Sequence, residues 1–477
     1  MSMTPEAFHA CRGQKILVIE PYFYTPEIET GLEISETLAT HNSVTFLGPE
    51  ILQCTTDETY RFRSRVLINC SRKRHVSSYL PGSIPRLTQA DIAELAQRPS
   101  RSEFAEAITD SCGGFEHAMV DTFDLGTGIR SSLVSLTRDT SVDPKDYRDY
   151  VVALGRDAVL LYRLTKELIR RERFEIVALF NGRFAPVRAI RRACEELGTR
   201  YFVHERGSSI DKYAIYDCAT PHQPAGYRSW VDTWWTIADD PVGSAQKFLA
   251  KRRQGRGTSW YAFTRKQERG AAPPRSGKRR ISFFTSSEDE IAAIGDELQP
   301  DSPFCDQGAA IRAVGAACRE KGYEFIIRFH PNTPSSAASL LQAAHAATEF
   351  VAEPSSEIDS YALVDSSDVV VSPNSTIAVE AAASGRPAFF TGRGIYENCL
   401  SVGKIRTNTE LVDAIVNPGE PNPLDALKYA NFLGVHGIKY LYYKPCGFLS
   451  GTYRGRNLNA PLATIRDLKL RITRGGR

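Results

Sequence analysis

The sequence has no run of ~18 consecutive apolar residues, the length that a bilayer-crossing helix needs. Its opening, Met1-Ser-Met-Thr-Pro5, lacks the basic region and apolar core of a secretory leader, so the expected location is the cytoplasm. Ten cysteines stand singly from Cys11 to Cys446, with no CxxC pair and no Cys/His spacing of the zinc type. They read as reduced thiols, and no metal site is expected. There is no P-loop, kinase signature, nucleophile-elbow serine or metalloprotease helix, so ATP-dependent phosphoryl transfer and hydrolase chemistry lack an anchor. Gly126-Thr-Gly128-Ile-Arg-Ser131 opens like a dinucleotide fingerprint, but its third glycine is missing and no strand pattern precedes it. NAD or FAD binding is not expected on that ground.

What the chain does have is length. Its 477 residues exceed the size at which one core stops growing, so two domains are expected. A net charge of +3 is nearly neutral but unevenly placed. Between Lys251 and Arg280 eleven Lys/Arg face the single Glu268, and Arg61–Arg74 and Arg466–Arg477 are also basic. Such runs read first as a solvated linker and tail. They also suit peripheral contact with the acidic inner face of a membrane or with an anionic glycan; no nucleic-acid motif accompanies them.

Short β-branched runs alternate with amphipathic segments that end at glycine, the pattern of βαβ units and a parallel sheet. Expected strands are Lys15–Glu20, Val44–Leu47, Ile176–Phe180 and Tyr201–His204, with helices at Ile28–Thr40 and at Ala185–Leu197, stopped by Gly198. After the Arg/Lys/Gly/Pro-rich stretch the alternation restarts. Strands are expected at Ile281–Phe284, Glu324–Phe329, Val369–Val371 and Ala388–Phe390, and helices at Asp306–Lys321 and Ser375–Ala383. The fold class is therefore α/β, two Rossmann-like domains facing a central cleft. The boundaries expected are 1–250 for an acceptor-binding domain, 251–280 for a basic linker, 281–435 for a nucleotide-sugar-binding domain, and 436–477 for a segment packing back on the first domain. Two doubly wound domains without a dinucleotide motif favour nucleotide-sugar chemistry, since ligands sit beyond the carboxyl ends of the strands.

Four loops follow strands and carry candidate chemistry. In Arg328-Phe-His330-Pro331-Asn332 the proline stops a strand, and the imidazole can donate to a nucleotide phosphate. Ser372-Pro-Asn374-Ser375-Thr376 opens a helix whose N–H groups suit a phosphate, although these residue types also simply cap helices. Glu380, one turn on, is placed to reach a ribose hydroxyl. Ser286-Ser-Glu288-Asp289-Glu290 sets three carboxylates after a strand and ahead of a helix expected from Ile291; the ordinary reading is a solvated acidic loop, the sharper one a catalytic Asp289. His204-Glu205-Arg206-Gly207 also follows a strand, making Glu205 a candidate general base or else a cap or a partner of Arg206 or Arg183.

These residues resemble the bacterial capsule and lipopolysaccharide transferases that move Kdo from CMP-Kdo, proteins of the GT-B type. The matching pieces are Ser286–Glu290, Phe304-Cys-Asp306-Gln307, Arg328–Asn332, and Ser372–Thr376 with Glu380, Gly385 and Pro387; Thr25-Pro26 with Glu29–Glu33 and His204–Gly207 are similar less specifically. The His-Pro and Ser/Thr loops are shared with bacterial sialyltransferases and teichoic-acid glycerophosphotransferases. The resemblance implies a retaining reaction with Asp289 as nucleophile, Glu205 as acid/base, and His330 with the Ser372–Thr376 loop, Arg328 and Asn332 at the CMP phosphate. It implies a glycan or glycolipid acceptor, a surface polysaccharide as product, and no metal. Two other readings stay open: an inverting sialyltransferase or other nucleotide-sugar transferase in which Asp289 only orients substrate, and a non-catalytic partner in a polysaccharide-assembly complex.

Overall fold

A computed structural model describes residues 2–52, 76–101, 104, 117–256, 267–287, 289, 291, 294–295, 298, 304, 306–333, 337–447 and 450–457. It falls into two units: Met1–Leu136, Val142–Pro221 and Gly437 onward form the first, Thr137–Ser141 and His222–His436 the second. The crossing thus lies at residues 221/222 and not in the basic stretch 251–280.

After a short helix at Pro5–His9 the first unit has β1 (Lys15–Ile19), α1 (Glu27–Ala39) and β2 (Ser43–Leu47). There follow α2 (Leu125–Thr137), α3 (Arg148–Glu172), β3 (Ile176–Phe180), α4 (Ala185–Leu197), β4 (Arg200–Arg206) and β5 (Lys212–Asp217). Strands β2, β1, β3 and β4 are parallel, as the short β-branched runs require, while β5 turns back antiparallel on β4. Every residue of β3 is buried, which is why its sequence shows no polar alternation. Gly198 ends α4 at φ 66°, the left-handed cap that glycine adopts without strain. Gly126 and Gly128 lie inside α2, so they form no phosphate loop. A side chain at Gly128 would meet the Cα of Ala185 at 3.0 Å, and this glycine lets α2 approach α4.

The second unit opens with α5 (Pro224–Ile237) and α6 (Pro241–Arg253). Its doubly wound part runs β6 (Arg280–Phe284), α7 (Gln307–Lys321), β7 (Glu324–Arg328), α8 (Ala338–Ala347), β8 (Phe350–Ala352), α9 (Ser360–Ser366), β9 (Val369–Ser372), α10 (Thr376–Ala383), β10 (Ala388–Phe390), β11 (Gly403–Lys404), α11 (Asn408–Val416) and α12 (Pro423–Val435). The sheet is wholly parallel in the order β11-β10-β9-β6-β7-β8. Ile281, Phe283, Ile327, Val369 and Val371 are fully buried, each contributing about 1.5–3 kcal/mol of transfer free energy. Helices α5, α6 and α12 pack together through the Tyr227–Tyr429 stack, Phe248 on Ala430, and the Arg228–Asp425 ion pair at 2.7 Å. That packing is why residues 222–250 belong here and not with the first unit.

Much of the basic stretch is neutralised within this unit. Arg252 pairs with Glu380, Arg253 with Asp365, Arg275 with Asp368, and the fully buried Arg280 with Glu324 at 2.6 Å. The basic segments 61–74 and 466–477 lie outside the described residues. Among the described residues no helix is long and apolar enough to cross a membrane.

After α12 the chain returns to the first unit. There β12 (Ile438–Lys439) pairs antiparallel with β5, and β13 (Tyr443–Gly447), β14 (Ser450–Tyr453) and β15 (Arg456–Asn457) form a small sheet. Glu33 of α1 fastens this return by accepting from the backbone N–H groups of Leu441, Tyr442 and Tyr443.

Candidate active site

In the second sheet the chain leaves β6 toward β7 and β8, then comes back to lay β9 on the other side of β6. The switch point of the winding, where open α/β sheets bind ligands, is thus at the carboxyl ends of β6 and β9. Three of the four candidate loops leave the neighbouring strands β7, β6 and β9.

The loop after β6 is held by two clamps. Thr285, buried, donates its N–H to Arg328 O, and its hydroxyl accepts from the backbone N–H of His330 at 2.7 Å, tying this loop to the one after β7. Gln307, the first residue of α7, accepts from Ser286 N–H at 2.7 Å and donates to Ser286 O at 3.0 Å. Ser286 is 7% exposed, and among the described residues its hydroxyl has no hydrogen-bond partner. Asp289 is buried: one carboxylate oxygen accepts from Ser287 Oγ at 2.6 Å, and the other is paired with Arg138. Glu288, Glu290 and most of the helix expected from Ile291 lie outside the described residues.

His330 is partly buried, and its Nδ1 accepts from Asn332 N–H at 3.2 Å. The ring hydrogen therefore sits on Nε2. Burial pulls the imidazole down to about 4, helped by Arg328, Arg252 and Arg138 and opposed by Asp289. His330 is thus a neutral imidazole at pH 7 that can donate through Nε2. Arg328 turns inward and donates to the carbonyls of Ala352, Glu353 and Ser356. Burial lowers it to about 10, and it braces the loop after β8. Asn332 is exposed.

After β9, buried Ser372 accepts from Ser375 N–H through its hydroxyl, and Ser375 caps α10 by accepting from Ile377 N–H. Thr376 is the first helical residue. Asn374 donates to Arg393 O, and a side chain at Gly394 would strike the Asn374 Cβ at 2.6 Å, so this loop and Thr391–Gly394 pack tightly. Glu380 is buried, accepts from Tyr361 OH at 2.5 Å, and is paired with Arg252 at 3.3 Å. These bonds commit it within the unit, which departs from the expectation of a residue reaching for ribose.

In the first unit the switch point falls between β1 and β3. Asn181 and Gly182 follow β3 with φ 56° and 73°, a left-handed pair that turns the chain sharply. Asn181 Nδ2 donates to Glu205 at 2.7 Å, and Arg206 N–H donates to its other oxygen at 3.0 Å. Burial pushes the Glu205 carboxyl up, against those two hydrogen bonds. Beside it His204 Nε2 is hydrogen-bonded to Glu20, both fully buried, and Arg206 is paired with Glu27 at 2.8 Å. The Asn-Gly pair at a strand end was a readable signal for this device, and Gln307 stands in the matched Phe304–Gln307 piece; Arg138 carried no signal that marked it as a site residue. Among the described residues no three His, Cys, Asp or Glu side chains gather as a metal would need.

No protein-family model matches this chain, and no curated protein matches its sequence. Solved structures that align with it are distant. A beta Kdo 2,7 transferase, KpsC of Thermosulfurimonas dismutans, is 13% identical over 64% of this chain and 89% of its own, with a TM-score of 0.35. The beta Kdo 2,4 transferase of the same protein is 12% identical over 54% and 79%, with a TM-score of 0.31. A UDP-GlcNAc 2-epimerase of Neisseria meningitidis is 10% identical over 87% and 97%, with a TM-score of 0.30. At these scores none of them bears on the chemistry of this chain.

Proposed function

We propose that this chain is a glycosyltransferase of the GT-B type. It moves a sugar acid from a cytidine nucleotide, CMP-Kdo being the donor its motifs favour, onto a growing surface polysaccharide or glycolipid. One observation carries the reading: a buried carboxylate, a neutral imidazole with its hydrogen on Nε2, and a capped helix start leave the neighbouring strands β6, β7 and β9 around one switch point.

In this reading an Asp289 oxygen attacks the anomeric carbon, the carbon–oxygen bond to the nucleotide phosphate breaks, and CMP leaves with the electron pair. His330 Nε2–H and the N–H groups at the start of α10 receive the phosphate; a helix start contributes ~0.3–1 kcal/mol when exposed and up to ~2 when partly buried. Arg328 and Ser372 position those loops. The acceptor hydroxyl then attacks the same carbon, gives its proton to Glu205, and releases Asp289 as a carboxylate, so two inversions retain the configuration. Burial raises the Glu205 carboxyl, which makes its carboxylate a stronger base toward the acceptor proton. The reading asks for no metal.

A thermal-shift panel of CMP, UDP, GDP and ADP tests the donor class. A nucleotide at 100 times its Kd stabilises the folded form by about 2.7 kcal/mol. CMP is expected to give the largest shift. Stabilisation by UDP alone would end the cytidine reading.

A further inference from the structure

Arg138 follows α2 with its backbone left-handed, φ 61°, and among the described residues its guanidinium hydrogen-bonds to Asp289 alone. The pair has a dry end and a wet end: the Asp289 side chain is 8% exposed, that of Arg138 52%. A guanidinium carries five N–H donors in a planar fork, so most of this one's donors remain for a second anion.

A cation bonded to a nucleophilic carboxylate orients it and at the same time makes it a poorer nucleophile. A 2-keto sugar acid changes the balance, because its own carboxylate is bonded to the anomeric carbon. Attack by Asp289 then presses two like charges together, and at such separations they repel strongly in a partly dry site. A fork that already holds one carboxylate is placed to take the other and to orient the reacting carbon between them. We propose that Arg138 recognises the donor's carboxylate and selects sugars that carry one on the reacting carbon. This rests on the donor reading given above and names the group that enforces it.

Calorimetric titration of CMP and of CMP-Kdo into the wild-type chain, Arg138→Gln and Arg138→Gly tests the proposal. Glycine suits the left-handed backbone, so that variant serves if glutamine perturbs folding. A charge-assisted hydrogen bond predicts that the wild type binds CMP-Kdo roughly 10- to 100-fold tighter than CMP. Both variants are expected to lose that preference while binding CMP as the wild type does. Retention of the wild-type preference in either folded variant overturns the proposal, as does a wild type that binds both compounds equally. A wild type that binds neither overturns the donor reading, and this proposal falls with it.

Discussion

Gln307 offers the most direct handle on how the loop after β6 is built, because its amide both accepts from Ser286 N–H and donates to Ser286 O in a buried setting. Gln307→Glu changes one atom group. The new carboxylate can still accept from the N–H but can return a hydrogen bond to the carbonyl only when protonated. Its folded-state pKa must therefore rise above the unfolded value of about 4.3. The sign follows: the clamp's stabilisation is fully present below the unfolded pKa and is lost as pH rises through the raised folded pKa. At pH 8 the Ser286 carbonyl faces a buried carboxylate instead of a donor, a loss of about 1–3 kcal/mol for the orphaned group. For a unit of this size that lowers the melting temperature by roughly 2–12 °C. Melting curves of variant and wild type at pH 5 and pH 8 measure it, and the gap should be wide at pH 8 and narrow at pH 5. Gln307→Met, which cannot titrate, should show the same gap at both. An equal gap for Gln307→Glu at the two pH values would refute the clamp.

His330 in the nucleotide-free chain should titrate near pH 4 in a histidine NMR titration, and saturating CMP should move the midpoint upward, because a phosphate favours the imidazolium; an unmoved midpoint places the phosphate elsewhere. Since its folded pKa lies below the unfolded value of about 6.5, the stability tied to His330 is in place above pH ~6.5 and is lost as pH falls toward 4. Ser375→Ala should cost the order of one hydrogen bond, about 0.5–1.5 kcal/mol, in CMP affinity measured by calorimetry. Ser375→Asp keeps a helix-capping side chain but repels a phosphate, and full CMP affinity in that variant would remove the α10 start from the site.

Strands fully buried on both faces were the most readable part of the chain: Ile176–Phe180 and Arg280–Phe284 fall where β-branched and aromatic runs put them, and Gly198 and Gly322 stop their helices as left-handed caps. Elements whose place depends on a distant partner were not readable. Nothing local says that β5 reverses on β4, or that α5 and α6 belong with α12. The basic run between Lys251 and Arg280 read as a solvated linker because its carboxylate partners, Asp365, Asp368, Glu324 and Glu380, are 44 to 128 residues away in sequence. The same limit applies at the site. Strand ends announced His330, Ser375, Glu205 and Asp289, but Arg138 meets Asp289 across 151 residues, and the orientation of Arg328 into backbone carbonyls is a tertiary fact.

Double displacement through Asp289 is tested by intact-protein mass spectrometry of Glu205→Gln incubated with CMP-Kdo. Removing the base that activates the acceptor slows the second step and should let the covalent sugar–enzyme ester accumulate. One added Kdo is expected, mapped to a peptide containing Asp289. No adduct under any condition, together with a product of inverted anomeric configuration, would contradict it.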